Sequence, residues 1–231
     1  MKASKVKSKI VIADDHPLLR EAIRNALEQH EDMEVLAEAS DGEEAVNLSS
    51  ELKPDIVIMD IVMPKLSGIE ATKQIRKVSP TTAVLILTAY DDDRYVIGLL
   101  EAGAAGYLLK SARGQDLVGA VRTVRAGESV LHPTIIAKIL KHYVHTKAQI
   151  SERKTGEQLS ERETEILKLA AKGMSNKDIA GELFLSVRTV KAHLSNIFNK
   201  VGVASRTEAI VKGVREGWLA LEDLSDNEST D

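Results

Sequence analysis

The stretch IVIADDHPLL, residues 10–19, runs an apolar segment straight into two adjacent carboxylates, Asp14 and Asp15. A short apolar run bounded by polar residues fits a strand buried on both faces. Two neighbouring negative charges repel each other near neutral pH. The tip of this strand therefore needs a positive partner, and the rest of the chain has to supply it.

Four further runs follow in the front half: EVLAEA (34–39), DIVIMD (55–60), AVLILT (83–88) and GYLLK (106–110). Amphipathic segments lie between and after them, near 17–29, 42–52, 67–77, 93–102 and 115–126. Five such βα units with uniformly apolar strands predict an α/β doubly wound five-stranded parallel sheet covered by helices on both faces. Ligands of such sheets bind at the carboxyl ends of the strands, where the strand order reverses. Asp14 and Asp15 end the first strand, Asp60 the third, Thr88 the fourth and Lys110 the fifth. Three carboxylates in one cleft are costly unless cations join them. Lys110 supplies one positive charge, and a divalent ion supplies two more. Mg2+ favours oxygen ligands and retains several waters, so Asp14, Asp15 and Asp60 suit it. A cation beside Asp60 also neutralises an incoming phosphoryl group. Lys110 and the Thr88 hydroxyl are then placed to hold phosphoryl oxygens.

The totals are those of a soluble globular protein: 231 residues, 43% hydrophobic, 29% charged and no cysteine. The absence of cysteine excludes disulfides and thiolate metal sites. No apolar run approaches the roughly 18 residues of a membrane span. The basic N-terminus lacks the apolar core of a signal peptide, so the expected location is the cytoplasm. Charge is unevenly shared. Residues 10–127 carry 12 Lys/Arg against 20 Asp/Glu, and residues 158–217 carry 10 against 7. That asymmetry predicts two domains with different partners.

The back half is punctuated as short helices near 161–172, 176–183, 187–200 and 206–216. SERE (160–163) and SRTE (205–208) read as capping boxes, with Ser175 and Asp178 as a weaker one. Gly173, Gly202 and Gly217 stand where helices should stop. The tight connection around 184–186 predicts a helix-turn-helix. In the segment 187–200, Val190, Leu194, Ile197 and Val201 share one stripe and form its core face. Arg188, Ala192, Ser195, Asn196 and Asn199 lie opposite, with Lys191 and Lys200 on the flanks. No acid occurs from 187 to 207. Such residues suit base edges and phosphates of double-stranded DNA. Between the two halves, Pro133 opens a segment with helical spacing, and a polar tether follows it.

The pieces ADDHP, DIVIMDIVMPKLSGIE, LTAYDD and GAAGYLLKS make residues 9–127 resemble a response-regulator receiver domain, a flavodoxin-like fold. LSERETEILKLAAKGMSNKDIAGELFLSVRTVKAHLSNIFNKVGVASRTEAI makes 158–217 resemble a LuxR-type DNA-binding domain. The whole chain thus resembles a NarL/FixJ-type response regulator, with a linker at 128–157 and an acidic tail at 218–231 expected to be disordered. The resemblance implies that Asp60 accepts a phosphoryl group from a sensor histidine kinase. It implies Mg2+ held by Asp15, Asp60 and the Val62 carbonyl, with Asp14 acting largely through water. Thr88 and Lys110 would contact the phosphoryl group, and Tyr107 would be the switch aromatic. The output surface would span roughly 91–126. Thr189 would contact DNA phosphate, and Lys191, Ala192 and Ser195 would face bases. The segment 206–216 would pair two subunits into a homodimer, and RNA polymerase is a further candidate partner. On this reading the protein is a transcription regulator and not an enzyme. Two other readings of the residues are an Mg2+-dependent phosphatase with an aspartyl-phosphate intermediate, and a DNA-binding protein independent of phosphorylation. The former usually carries Asp-x-Asp on its first strand, and the latter does not need the full set of strand-end residues.

Overall fold

The computed structural model describes residues 7–89, 98–99, 101–130 and 159–220. The chain divides into two compact units, residues 1–130 and 131–231. The expected helix at 93–102 falls largely outside the described residues. So do the linker segment and most of the tail.

The first unit is a five-stranded parallel sheet in the order β2-β1-β3-β4-β5. Its strands are β1 (Ser8–Ala13), β2 (Met33–Ala39), β3 (Ile56–Met59), β4 (Ala83–Thr88) and β5 (Gly106–Leu109). Among the described residues it is flanked by helices α1 (Pro17–Glu28), α2 (Gly42–Leu52), α3 (Gly68–Val78) and α4 (Gly114–Arg125), and residues 98, 99 and 101, before β5, are helical as well. Alternation along each strand builds two cores at once. Ile10, Ile12, Ile56, Ile58, Leu85 and Leu87 pack with Ile23 and Leu27 of α1 and with Leu117, Val121 and Val124 of α4. Val11, Ala13, Val57, Met59, Val84 and Ile86 pack on the other face with Val46 of α2 and with Ala71 and Ile75 of α3. That double burial is why the strands read as continuous apolar runs, each large side chain contributing about 1.5–3 kcal/mol.

One expectation is corrected. The strands are not uniformly apolar, because β2 is an edge strand with Glu34 exposed and Ala37 and Glu38 half-buried. Glu38 lies beside Arg20 and Arg24 of α1, at 3.1 and 2.6 Å. The hydrogen bond from Arg24 is the largest cause holding its carboxyl below the usual range. At the opposite edge, Gly106 forms a single parallel bridge with Val130, and the Tyr107 N–H donates to the Val130 carbonyl at 3.0 Å.

The described residues of the second unit form only helices: α5 (Glu161–Ala171), α6 (Asn176–Glu182), α7 (Val187–Val201) and α8 (Arg206–Glu216). Its caps follow the sequence closely. Ser160 and Glu163 form the reciprocal box of α5, and Ser175 and Asp178 that of α6. Ser186 caps α7, where no box was expected. The expected box at 205–208 is shifted. The Ser205 hydroxyl accepts from the Glu208 N–H, but the Glu208 carboxylate reaches the Ala204 N–H at 2.9 Å, one residue earlier. Gly202 and Gly217 end α7 and α8 in the left-handed conformation that glycine adopts without steric cost. Val190, Leu194, Ile197 and Val201 are buried, as their spacing predicts. Buried Arg206 donates to the carbonyls of Ala170 and Met174 and closes the end of α5. Among the described residues no helix is long and apolar enough to cross a membrane.

Candidate functional sites

Strand order fixes the first site. It reverses between β1 and β3, whose last residues, Ala13 and Met59, are register partners. The chain then places Asp14 and Asp60 side by side beyond the sheet, and the Asp60 N–H donates to the Ala13 carbonyl at 2.8 Å. Both carboxylates are almost completely covered, at 2% and 5% exposure. β5 brings in Lys110, whose backbone N–H donates to the Thr88 carbonyl at 2.7 Å. Its ammonium stands 2.7 Å from Asp14 Oδ2 and 2.8 Å from Asp60 Oδ2. The other Asp60 oxygen accepts from the Ile61 N–H at 2.8 Å.

The electrostatics follow from that burial. Desolvation pushes the Asp60 carboxyl above the usual range, against the hydrogen bond and charge of Lys110. Desolvation also works against the Lys110 ammonium, but hydrogen bonds to Asp14 and Asp60 outweigh it and raise its pKa. Asp14, Asp15, His16 and Asp60 each offer a ligand atom, all within 4.8 Å of one another. Asp14, Asp15 and Asp60 form a hard oxygen set of charge −3, offset by one lysine. Its chemistry and its residual charge suit a divalent cation such as Mg2+.

His16 was not singled out by sequence reasoning. Its ring Nδ1 lies 2.7 Å from Asp15 Oδ1 and 3.2 Å from Asp14 Oδ1. Its backbone N–H also donates to Asp14 at 2.9 Å. The available signal was adjacency to the acid pair. Of the other expected residues, Thr88 is fully buried and Tyr107 is half-buried against the α2/α3-side core. Val62 lies two residues beyond Asp60 with its side chain 49% exposed.

The loop between β3 and α3 is held from both ends. A Cβ on Gly68 would stand 2.0 Å from the Asp60 carbonyl oxygen, and one on Gly42 would stand 2.2 Å from the Leu66 carbonyl oxygen. Two glycines thus let the starts of α2 and α3 close on the loop. Lys65, itself in a left-handed conformation, pairs with Asp41 at 2.6 Å.

The second site is the outer face of α7. Arg188, Lys191, Ala192, Ser195, Asn196 and Asn199 are exposed together. Thr189 is half-buried, and its N–H donates to Ser186 Oγ at 3.0 Å. Lys200 is drawn aside, with its ammonium 3.0 Å from Glu163 of the α5 capping box.

Sheet topology, acidic pocket and helical unit define a two-part molecule, a receiver-type α/β domain joined to a helix-turn-helix. The comparisons agree. The response regulator receiver domain matches residues 10–122, and the luxR family of bacterial regulatory proteins matches 157–212. The chain is 39% identical over 214 residues to the uncharacterized transcriptional regulatory protein YxjL of Bacillus subtilis (strain 168), covering 93% of this chain and 98% of that protein. It is 40% identical over 227 residues to the transcriptional regulatory protein DegU of Brevibacillus brevis, covering 93% and 96%. Among solved structures, the two-component response regulator RcsB in complex with DNA aligns with a TM-score of 0.54 at 25% identity, covering 90% of this chain and 99% of that one. The chain belongs to the DNA-binding two-component response regulators that join a receiver domain to a LuxR-type helix-turn-helix. Its relatives are transcriptional regulators, not enzymes.

Proposed function

We propose that this regulator is switched by phosphorylation of Asp60, the phosphoryl group coming from a sensor histidine kinase. The observation that carries the reading is the buried Asp60 carboxylate, shared with Asp14 through the Lys110 ammonium at the strand crossover. An Asp60 oxygen attacks phosphorus as the bond to the donor breaks. Lys110, already 2.8 Å from Asp60 Oδ2, follows the charge onto the phosphoryl oxygens. Asp14, Asp15 and Asp60, with the Val62 carbonyl, would hold Mg2+. When bound, the ion neutralises charge gathering between nucleophile and phosphoryl group. Thr88 would take another phosphoryl oxygen, and Tyr107, on the neighbouring strand, would turn inward behind it.

In the same reading residues 9–127 are the receiver, 128–157 the linker, 158–217 the DNA-binding domain and 218–231 an acidic tail, but its first residues are not the disordered chain expected: Leu219 is buried, and the Trp218 and Leu219 N–H groups both donate to the Gly213 carbonyl. Arg188, Thr189, Lys191, Ala192, Ser195, Asn196 and Asn199 meet DNA. Lys200 joins them only by leaving Glu163. Residues 206–216 pair two copies, and the DNA-bound dimer is placed to meet RNA polymerase. A cytoplasmic site of action fits these partners.

The test is intact-mass measurement after incubation with Mg2+ and a small phosphodonor, beside Asp60→Asn. The expected result is one phosphoryl adduct, absent from the variant and from a metal-free control, with a shift toward dimer on sizing. No adduct on the parent protein would overturn the reading.

A further inference from the structure

The turn between α6 and α7 carries a feature that neither core packing nor the residues above account for. Phe184 is 97% exposed, the most exposed large hydrophobic among the described residues. It also sits in the left-handed conformation, at φ 54°. A bulky aromatic seldom adopts that conformation, and glycine or asparagine is its ordinary occupant. The surrounding backbone is firmly held. The Phe184 N–H donates to the Gly181 carbonyl at 3.3 Å, and the Leu185 N–H to Ala180 at 2.8 Å. Arg162 donates to the Leu183 carbonyl at 2.9 Å. Leu183 and Leu185 on either side are half-buried, so the turn tucks in its flanking leucines and throws the ring outward. The isolated fold gains nothing from this ring and bears the cost of its backbone conformation.

We infer that the Phe184 ring is an apolar DNA contact, meeting a thymine methyl or deoxyribose at the groove edge beside the start of α7. Position favours this occupant. Phe184 stands two residues before Ser186, the cap of α7, and four before Arg188. Even a fully extended chain keeps its Cα within about 14 Å of that of Arg188. Val187, next to the cap, is also 39% exposed, so the apolar surface runs into the polar face of the helix. No acid lies between residues 183 and 207, so nothing there repels phosphate. Aromatic and methyl groups read the thymine methyl in the major groove. The inference rests on α7 being the helix that meets DNA.

Binding of the full-length protein to a duplex it has itself selected from a random-sequence pool, titrated over a range of salt, tests the assignment. Phe184→Gly should retain or raise the melting temperature, because glycine relaxes the backbone. It should weaken binding about 5- to 10-fold, with an unchanged salt slope, since no phosphate contact is lost. Phe184→Tyr should bind as the parent does. Arg188→Ala should instead flatten the salt slope. Replacing thymine by deoxyuridine in the duplex should weaken the parent more than Phe184→Gly if the ring meets a methyl, and equally if it meets sugar. Equal affinity of parent and Phe184→Gly at every salt would overturn the inference. So would a Phe184→Gly effect confined to self-association or to phosphorylated protein. Failure of the parent to retain any duplex would instead remove the DNA-binding reading of α7.

Discussion

The two units keep their chemistry in opposite ways. The receiver concentrates it at one buried point, where Asp14, Asp60 and Lys110 lie within hydrogen-bonding distance under a nearly closed surface. The helical unit spreads it over the exposed side of α7, where each residue stands in solvent and is individually cheap to change. A buried charge cluster is collective, because removing one member strands the others. An exposed row is graded, because each member is already solvated. Damage to the first should cost stability and function together, whereas damage to the second should separate them.

The sharpest way to break this contrast is one substitution made in both units. Gly68→Ala drives a methyl onto the Asp60 carbonyl, so the receiver should lose about 3 kcal/mol or more, read by thermal unfolding. Gly181→Ala in α6 meets nothing within 4 Å and should leave the helical unit unchanged or stabilised by up to about 1 kcal/mol. Equal costs at the two sites would mean that the loop yields and that the receiver is not tightly built there.

Lys110→Met should cost on the order of 2–3 kcal/mol near neutral pH, because Asp14 and Asp60 remain buried without their cation. The loss should shrink on acidification, which protonates the carboxylates, and on addition of Mg2+, which replaces the charge. In the parent, the raised Lys110 pKa means that its contribution is complete below the usual lysine value. That contribution is lost as pH rises through the higher folded value. Denaturant titrations across pH, with and without Mg2+, measure all three.

The smallest effect is a difference of sign. The Asp60 pKa is raised, so its ionisation costs stability as pH climbs from the usual carboxylate value through the folded one. The Glu163 pKa is lowered, first by the Ser160 backbone hydrogen bond and then by Lys200. Its contribution is present above the usual value and fades as pH falls through the folded one. Parent stability relative to Asp60→Asn should therefore decline with rising pH, and relative to Glu163→Gln it should increase. Each slope should amount to about 1 kcal/mol or less. Slopes of the same sign would show that the two carboxyls share one kind of environment.

The contrast also explains what could be read in advance. The continuous apolar runs of β1, β3 and β4 and the Val190, Leu194, Ile197, Val201 stripe are local patterns, and the structure follows them. The strand-end acids were legible because each closes an apolar run. What escaped depends on contacts distant in sequence. Lys200 meets Glu163 37 residues away, and Glu38 meets Arg20 across 18. The close approaches at Gly42 and Gly68 are set by loop packing that no spacing reveals. His16 was masked by the two acids it serves. Phe184 read as one more apolar letter between two leucines, since exposure and a left-handed backbone leave no periodic trace.

The bridge from Val130 to the edge of β5 has a mechanical meaning. The last residue of the first unit is fastened to the sheet by the hydrogen bond from the Tyr107 N–H to its carbonyl. The Val130 side chain also packs against the core on the α1/α4 side, so the exit of the first unit is held by backbone and side chain together. A pull at this exit would therefore reach the sheet edge and that core at once. The strand that bears this anchor also carries Tyr107 and, at its far end, leads into Lys110, which holds the Asp14 and Asp60 carboxylates.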